Sequence, residues 1–237
     1  AATGGQVDVE SPPFVHNAAG FLNTAKPASA PVDIQRAIQI LSESRKPVII
    51  AGNGVHVARA HAQLQELAEK WGIPVATSYK GKSAISEDHP LALGMVGTYG
   101  QETANKAVGD ADTVLVIGAL LRSQETVGER PDIFNPVRQR IIQIDIDERN
   151  AAWSFPVELG LIGDAKAILE QLVEASKTAA PDNSGRKEWT DSMPGRRATG
   201  GYHDYPDMHE DSSPVKPQRL IAQLQATMGP STIYTLD

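Results

Sequence analysis

RKPVIIAGNGV, residues 45–55, passes from a proline through an unbroken apolar run into two glycines one residue apart. Residues 48–51 offer no polar side, so they read as a strand covered on both faces, the condition of a parallel sheet between helix layers. Gly52 and Gly54 then supply a tight turn from strand to helix. Two purposes suit such a turn: it can point backbone N–H groups at an anion where the helix starts, or it can simply redirect the chain. A dinucleotide fingerprint adds a third glycine and an acidic residue about 20 positions further on. Val57 stands at the third glycine position, and Ser78 and Tyr79 follow the next strand. A conventional NAD site is therefore not expected.

The same alternation continues on either side. Upstream, Ile34, Ala37, Ile38 and Leu41 fall at i, i+3, i+4 and i+7, an apolar helical stripe with Asp33 as the expected N-cap. Downstream, Ala60, Leu64, Leu67, Ala68 and Trp71 mark a second amphipathic helix closed by Gly72, and residues 73–77 (IPVAT) a second strand. Residues 80–100 form a long glycine-containing loop, of a length that tends to carry function. Residues 101–111 read as a helix, and residues 113–118, 141–147 and 159–164 as strands. Asp164 then caps a helix that buries Ile168, Leu169, Leu172 and Val173. Strands and helices at this spacing predict an α/β fold, a Rossmann-like three-layer domain with a parallel sheet and right-handed crossovers.

The totals agree. Of 237 residues, 41% are hydrophobic and only 5% aromatic, so Ala, Ile, Leu and Val must fill the core. A net charge of −7 and a pI near 5.4 argue against nucleic acid or an anionic membrane as partner. The absence of cysteine excludes disulfides, a thiolate nucleophile and thiol-bound zinc, and is compatible with a cytoplasmic protein. No apolar run reaches the roughly 18 residues of a membrane span.

Residues 176–216 are rich in Pro, Gly and charge and read as a linker over a surface, with Trp189, Tyr202 and Tyr205 as docking points. HDYPDMHED (residues 203–211) holds His, Asp and Glu without a spacing that converges them on a metal. His56 and His61 suit an exposed helix face. No Gly-x-Ser-x-Gly nucleophile elbow occurs. A further helix follows, with Pro217 near its start, Gly229 at its end and Leu220, Ile221, Leu224 and Met228 on one side. Residues 6–10 (QVDVE) and 231–237 (STIYTLD) read as strand pieces lacking neighbours, which suggests a piece of a longer protein.

Several segments together resemble the central domain of thiamine-diphosphate-dependent enzymes of the acetolactate synthase, pyruvate oxidase and benzoylformate decarboxylase type. KPVIIAGNGV through LQELAEKWGIPVATS is similar to that family's strand, glycine turn, helix and strand. GKSAISEDHPL resembles its GKGAFPEDHPL, and LGMVGTYGQETANKAVGDAD its LGMLGMHG...AN.AV..AD. VLVIGA, IIQIDID and LIGDAKAILEQL follow in the family's order, so the resemblance covers residues 32–174 continuously. It implies that residues 1–31 are the end of a preceding pyrimidine-binding domain with a connector. Residues 32–175 would be the central Rossmann-like domain of the DHS-like NAD/FAD-binding type, 176–216 a linker, and 217–237 the start of a diphosphate-binding domain.

The resemblance implies a parent lyase or transferase that uses thiamine diphosphate and magnesium to decarboxylate or ligate 2-oxo acids such as pyruvate. It implies flanking domains and a homo-oligomer, dimer or tetramer, as partners. The family's activating glutamate and its Gly-Asp-Gly…Asn motif have no matching positions here, so no catalytic residue or metal ligand is assigned and the piece alone is expected to be inert. Family members hold FAD, ADP or nothing in this domain. Residues matching the flavin contacts are Gly52, Asn53 and Gly54, then Ser78, Tyr79 and Lys80, then Gly97, Thr98, Tyr99 and Gly100. Gly118, Ala119 and Leu120 match as well, as do Asp145, Ile146 and Asp164. The family's GARFDDR has an arginine where this chain has Leu120, with Arg122 two residues on. Three readings stay open: a central-domain segment that serves assembly, a stand-alone FAD- or ADP-binding module, and a purely structural domain with an empty cleft.

Overall fold

Residues 48–51 lie in strand β1 (Pro47–Ala51), every residue of which is buried, as an apolar run with no wet side requires. The computed structural model describes residues 25–181, 185–229, 231–233 and 235. Around β1 stand β2 (Val75–Thr77), β3 (Ala92–Met95), β4 (Thr113–Ile117), β5 (Arg140–Asp145) and β6 (Leu159–Ile162). They form one six-stranded, all-parallel sheet in the order β3-β2-β1-β4-β5-β6. The expected layered α/β fold is the one the chain adopts.

Strand β3 falls inside the long loop. Its residues ALGM show no alternation and include Gly94 at φ +81°, so pairing with β2 rather than local preference makes it a strand.

Five helices cover the sheet: α1 (Pro31–Glu43), α2 (Asn53–Ala58), α3 (His61–Trp71), α4 (Glu102–Asp110) and α5 (Ala165–Ala175). The expected stripes of α1, α3 and α5 are all buried and share one core with Ile49, Leu115, Ile117, Ile142 and Ile144. α4 packs on the other face with Val48, Ile50, Val114 and Val116. Successive residues of one strand thus serve opposite cores, because side chains alternate across a sheet. α1 begins at Pro31 with Ala30 as a cap that makes no side-chain bond, so Asp33 is in the first turn and not the N-cap. Proline's fixed φ suits the first helical position, which moves the start ahead of Asp33. Asp164 does cap α5, accepting from the Ala167 N–H at 3.1 Å.

The stretch expected as a draped linker contains α6 (Arg186–Asp191) and α7 (Met193–Thr199). Trp189 is 3% exposed, donates from Nε1 to the Pro47 carbonyl at 3.0 Å, and joins the α4-side core with Met193. Arg186, 2% exposed, donates from Nε to the Ser44 carbonyl at 3.1 Å and from Nη2 to the carbonyls of Leu41 and Ser44. It therefore adds donors to carbonyls at the end of α1, where Leu41 O also accepts from the Ser44 N–H at 3.4 Å. Tyr202 is buried, and burial pushes its phenol up to about 12, whereas Tyr205 stays partly exposed.

Helix α8 (Pro217–Thr227) forms as expected but buries none of its residues, and Leu220, Ile221 and Met228 are exposed. No strand forms among the described residues 231–233 and 235, so the strand expected there is corrected for that part. The strand expected at 6–10 lies outside the described residues. No helix among the described residues is long and apolar enough to cross a membrane.

Two outcomes follow from these contacts. Trp189→Ala should lower the unfolding free energy by about 3–5 kcal/mol, read from urea denaturation. Arg140 donates to Glu43 at 2.7 Å and to Glu158 at 2.7 and 2.8 Å, and these bonds hold both carboxyls below their ordinary value of 4.5. A lowered carboxylate stabilises the fold fully above the ordinary value and loses that contribution as pH falls through the lowered one. Arg140→Met should therefore move the urea midpoint downward at about pH 7 and far less at about pH 3.

Candidate functional site

β1 and β4 are neighbours at the centre of the sheet, yet the chain leaves β1 towards β2 and leaves β4 towards β5. Such a reversal opens a crevice at the carboxyl ends of the strands. Here the two turns touch backbone to backbone. A Cβ added at Gly52 would lie 2.2 Å from the Gly118 oxygen, and one at Gly54 2.7 Å from the Gly118 Cα. Gly118 has φ +59°, a conformation that favours glycine. The Gly52 N–H donates to Ile117 O at 2.8 Å and the Gly54 N–H to Gly118 O at 3.1 Å. The paired glycines thus serve close approach of two strand ends, and these two N–H groups are spent within the protein.

A cavity of ≈ 410 Å³ opens over this contact. It is lined by Asn53 and Gly54 after β1, Ser78, Tyr79 and Lys80 after β2, and Gly118, Ala119 and Leu120 after β4. Asp145 and Ile146 at the end of β5, and Asp164 after β6, complete it. A second cavity of ≈ 430 Å³ extends towards β3 and is lined by Thr98 and Tyr99. Tyr79, Gln124 and Glu125 line both, so the two adjoin as one trough.

Gly52, Gly97 and Gly100 are not among the lining residues; they shape the turns. Gly97 has φ +120°, and Asn105 clamps it, accepting from its N–H at 2.9 Å and donating to its carbonyl at 3.0 Å.

No motif marks Gln124, Glu125 or Asn150, which also line the trough, while Arg122 does reach it. Gln124 and Glu125 sit in a loop without a motif, held by the fully buried Thr126. Thr126 Oγ1 donates to the Arg122 carbonyl at 3.1 Å and accepts from the Glu129 N–H at 3.1 Å. Three non-glycine residues of this loop are left-handed: Leu121 (φ +52°), Val127 (φ +54°) and Glu129 (φ +61°). For the β-branched Val127 that is a true outlier, of a kind concentrated at functional sites.

Charged groups of both signs line the trough, Glu125 among them. Asp145, 7% exposed, accepts from the Asp147 N–H at 3.0 Å and Asn150 Nδ2 at 2.9 Å. It lies with Asp164 at the β5–β6 side, while Lys80 and Arg122 supply cations further along. Ser78 Oγ accepts from the Gly81 N–H at 3.1 Å and so braces its own turn. An elongated polar ligand can lie across the strand ends in such a cleft.

His56 and His61 are not on a free helix face. His56 Nε2 lies 3.0 Å from the Lys82 carbonyl and its Nδ1 2.9 Å from His61 Nε2, so His56 donates to the carbonyl and accepts from His61. The acidic and histidine residues of 203–211 are taken up in local pairs, His209 with Asp204 and Lys216 with Asp207 at 2.9 Å. Among the described residues no group of three or more His, Cys, Asp or Glu is placed to hold a metal ion.

The family model described as "Thiamine pyrophosphate enzyme, central domain" matches residues 34–172. A probable acetolactate synthase large subunit of Methanocaldococcus jannaschii is 33% identical over 239 residues, covering 98% of this chain and 39% of that protein. The acetolactate synthase large subunit of Corynebacterium glutamicum is 33% identical over 88% of this chain and 33% of its own length. A glyoxylate carboligase of Escherichia coli O157:H7 is 32% identical over 88% of this chain and 35% of its own. The chain therefore spans between 33% and 39% of the length of these relatives.

The backbone contact separates two glycine substitutions. Gly128 has φ +70° but open space around its Cβ position, so Gly128→Ala should cost only the left-handed penalty of about 1–2 kcal/mol. Gly118→Ala adds a collision at 2.5 Å with the Gly54 Cα. It should be markedly more destabilising in the same denaturation assay.

Proposed function

This chain belongs to the thiamine pyrophosphate enzyme family, as its central domain, and from that premise we propose that it serves a thiamine-diphosphate- and magnesium-dependent enzyme acting on 2-oxo acids. The activity is decarboxylation or carboligation of the acetolactate synthase kind, a lyase or transferase reaction. The relatives named acetolactate synthase and glyoxylate carboligase support that class. Thiamine diphosphate, when bound, supplies the electron sink for such chemistry. No described residue of this chain is assigned to hold it, and no step is assigned to this chain's side chains. The domain serves assembly with flanking domains and within a cytoplasmic homo-oligomer, and it holds FAD or ADP in the trough.

The observation that carries the nucleotide reading is the pair of adjoining cavities, ≈ 410 and ≈ 430 Å³, laid across the carboxyl ends of the strands. Their groups fit such a ligand. Asp145 and Asp164 offer carboxylate oxygens to sugar hydroxyls, Lys80 and Arg122 offer cations to phosphates, and Tyr79 and Tyr99 offer largely exposed rings to a flat group. Because the Gly52 and Gly54 N–H groups are already spent, phosphate binding depends on the two cations. A second reading, a structural domain with nothing bound, is favoured by those spent N–H groups and by Leu120 in place of an arginine.

Thermal unfolding with added ADP or FAD separates the two readings. Ligand at about 100 times its dissociation constant should stabilise the chain by about 2.7 kcal/mol, and Lys80→Ala should reduce that shift. No shift with either nucleotide supports the structural reading. The parent activity is tested on the whole protein, which should consume pyruvate only when both thiamine diphosphate and magnesium are supplied.

A further inference from the structure

Tyr202 is the last buried residue among those described; from His203 to Gly229 every residue is exposed or half-buried. This stretch contains a short turn, Pro206–Met208, and helix α8, and neither buries a residue. It is tied back to the domain through Arg197, whose Nη2 meets His203 Nε2 at 2.9 Å. Within itself it is closed by charge. Lys216 Nζ donates to Asp207 at 2.9 Å and to Glu210 at 2.5 Å. Those bonds, Glu210 first, hold the Lys216 ammonium above its ordinary value of 10.5. Arg219 donates from Nη1 to the Met208 carbonyl and from Nη2 to Asp211, both at 3.2 Å. Among the described residues, the hydrogen bonds that join 207–211 to α8 thus all start from these two cations.

Both cations stand at the wrong end of α8 for the helix alone. Lys216 is its N-cap, Arg219 lies in its first turn, and that turn holds no acidic residue, whereas the amino end of a helix favours negative charge. Asp207, Glu210 and Asp211 bring the missing charge from outside the helix. Exposed ion pairs are individually weak, and salt screens them. A joint built of such pairs, with no buried apolar surface beneath it, opens at little cost. We propose that α8 is a hinged arm that pivots on residues 212–215 and is shut against 207–211 by an ionic latch. Lys216 and Arg219 are one side of the latch, and Asp207, Glu210 and Asp211 are the other. Ionic strength, rather than packing against the sheet and its helices, then sets the direction in which α8 points.

Energy transfer between two dyes reads the latch directly. The 237-residue chain has no cysteine, so Glu188→Cys on α6 and Gln225→Cys on α8, both exposed, place the labels uniquely. With the rest of the sequence native, the distance distribution should be narrow at about 0.01 M salt, where the screening length is about 30 Å. At about 1 M salt, where that length is about 3 Å, it should be at least about twofold broader. Adding Lys216→Met and Arg219→Met should make it broad at both concentrations. Reversing the central pairs, with Lys216→Glu, Asp207→Lys and Glu210→Lys together, should recover the narrow distribution at low salt. The urea midpoint of the chain carrying Lys216→Met and Arg219→Met should equal that of the native sequence, because no residue after Tyr202 belongs to either core. A distribution that salt leaves unchanged, narrow or broad, overturns the proposal. So does a chain with both Met substitutions that stays narrow at low salt or unfolds at a lower urea concentration.

Discussion

The structure depends on a contact between main chains. Gly52 and Gly54 at the end of β1 meet Gly118 at the end of β4 so closely that no side chain fits between them. A Cβ at Gly81, after β2, would likewise lie 2.0 Å from the Ala51 oxygen. Three strand ends are thus drawn together through glycine, which keeps the centre of the crevice low and floored by backbone. The chemistry at its rim then comes from residues just beyond each turn: Lys80, Arg122, Asp145 and Asp164. The glycines themselves supply shape and leave the charges to their neighbours.

Much of the scaffold was legible because its signals are local. Three amphipathic stripes and the uniformly apolar strands β1 and β4 need no partner to be recognised, and their burial is complete. β3 was not legible: four residues with a glycine among them become a strand only through β2. Nor were α6 and α7, whose polar and glycine-containing composition resembles a linker while one face carries Trp189 and Met193 into the core. Within the site, residues beside the glycine turns matched a known pattern. Gln124 and Glu125 did not, since the pattern breaks down from Leu120 onward. The Glu125 carboxylate was therefore the part of the trough's charge that the resemblance did not supply.

Two kinds of support meet at the site. The sheet behind it is parallel and covered on both faces. The loop around Glu125 is held instead by point contacts, Thr126 from within and Thr98 from across the cleft. Contacts of that kind can maintain a backbone in conformations that its own residues disfavour. The groups along the trough thus divide between strand ends, which hold Asp145 and Asp164, and a strained loop, which holds Gln124 and Glu125.

Arg186 has a consequence for how the molecule comes into being. Its bond to Leu41 spans 145 positions of the chain, so α1 is synthesised well before the side chain that completes the covering of its last carbonyls. Contacts this distant in sequence slow folding, because a long loop must close before they form. On the ribosome the end of α1 would stay without the Arg186 donors until α6 has left the exit tunnel, an interval in which the partly folded chain is open to misassociation or to a chaperone.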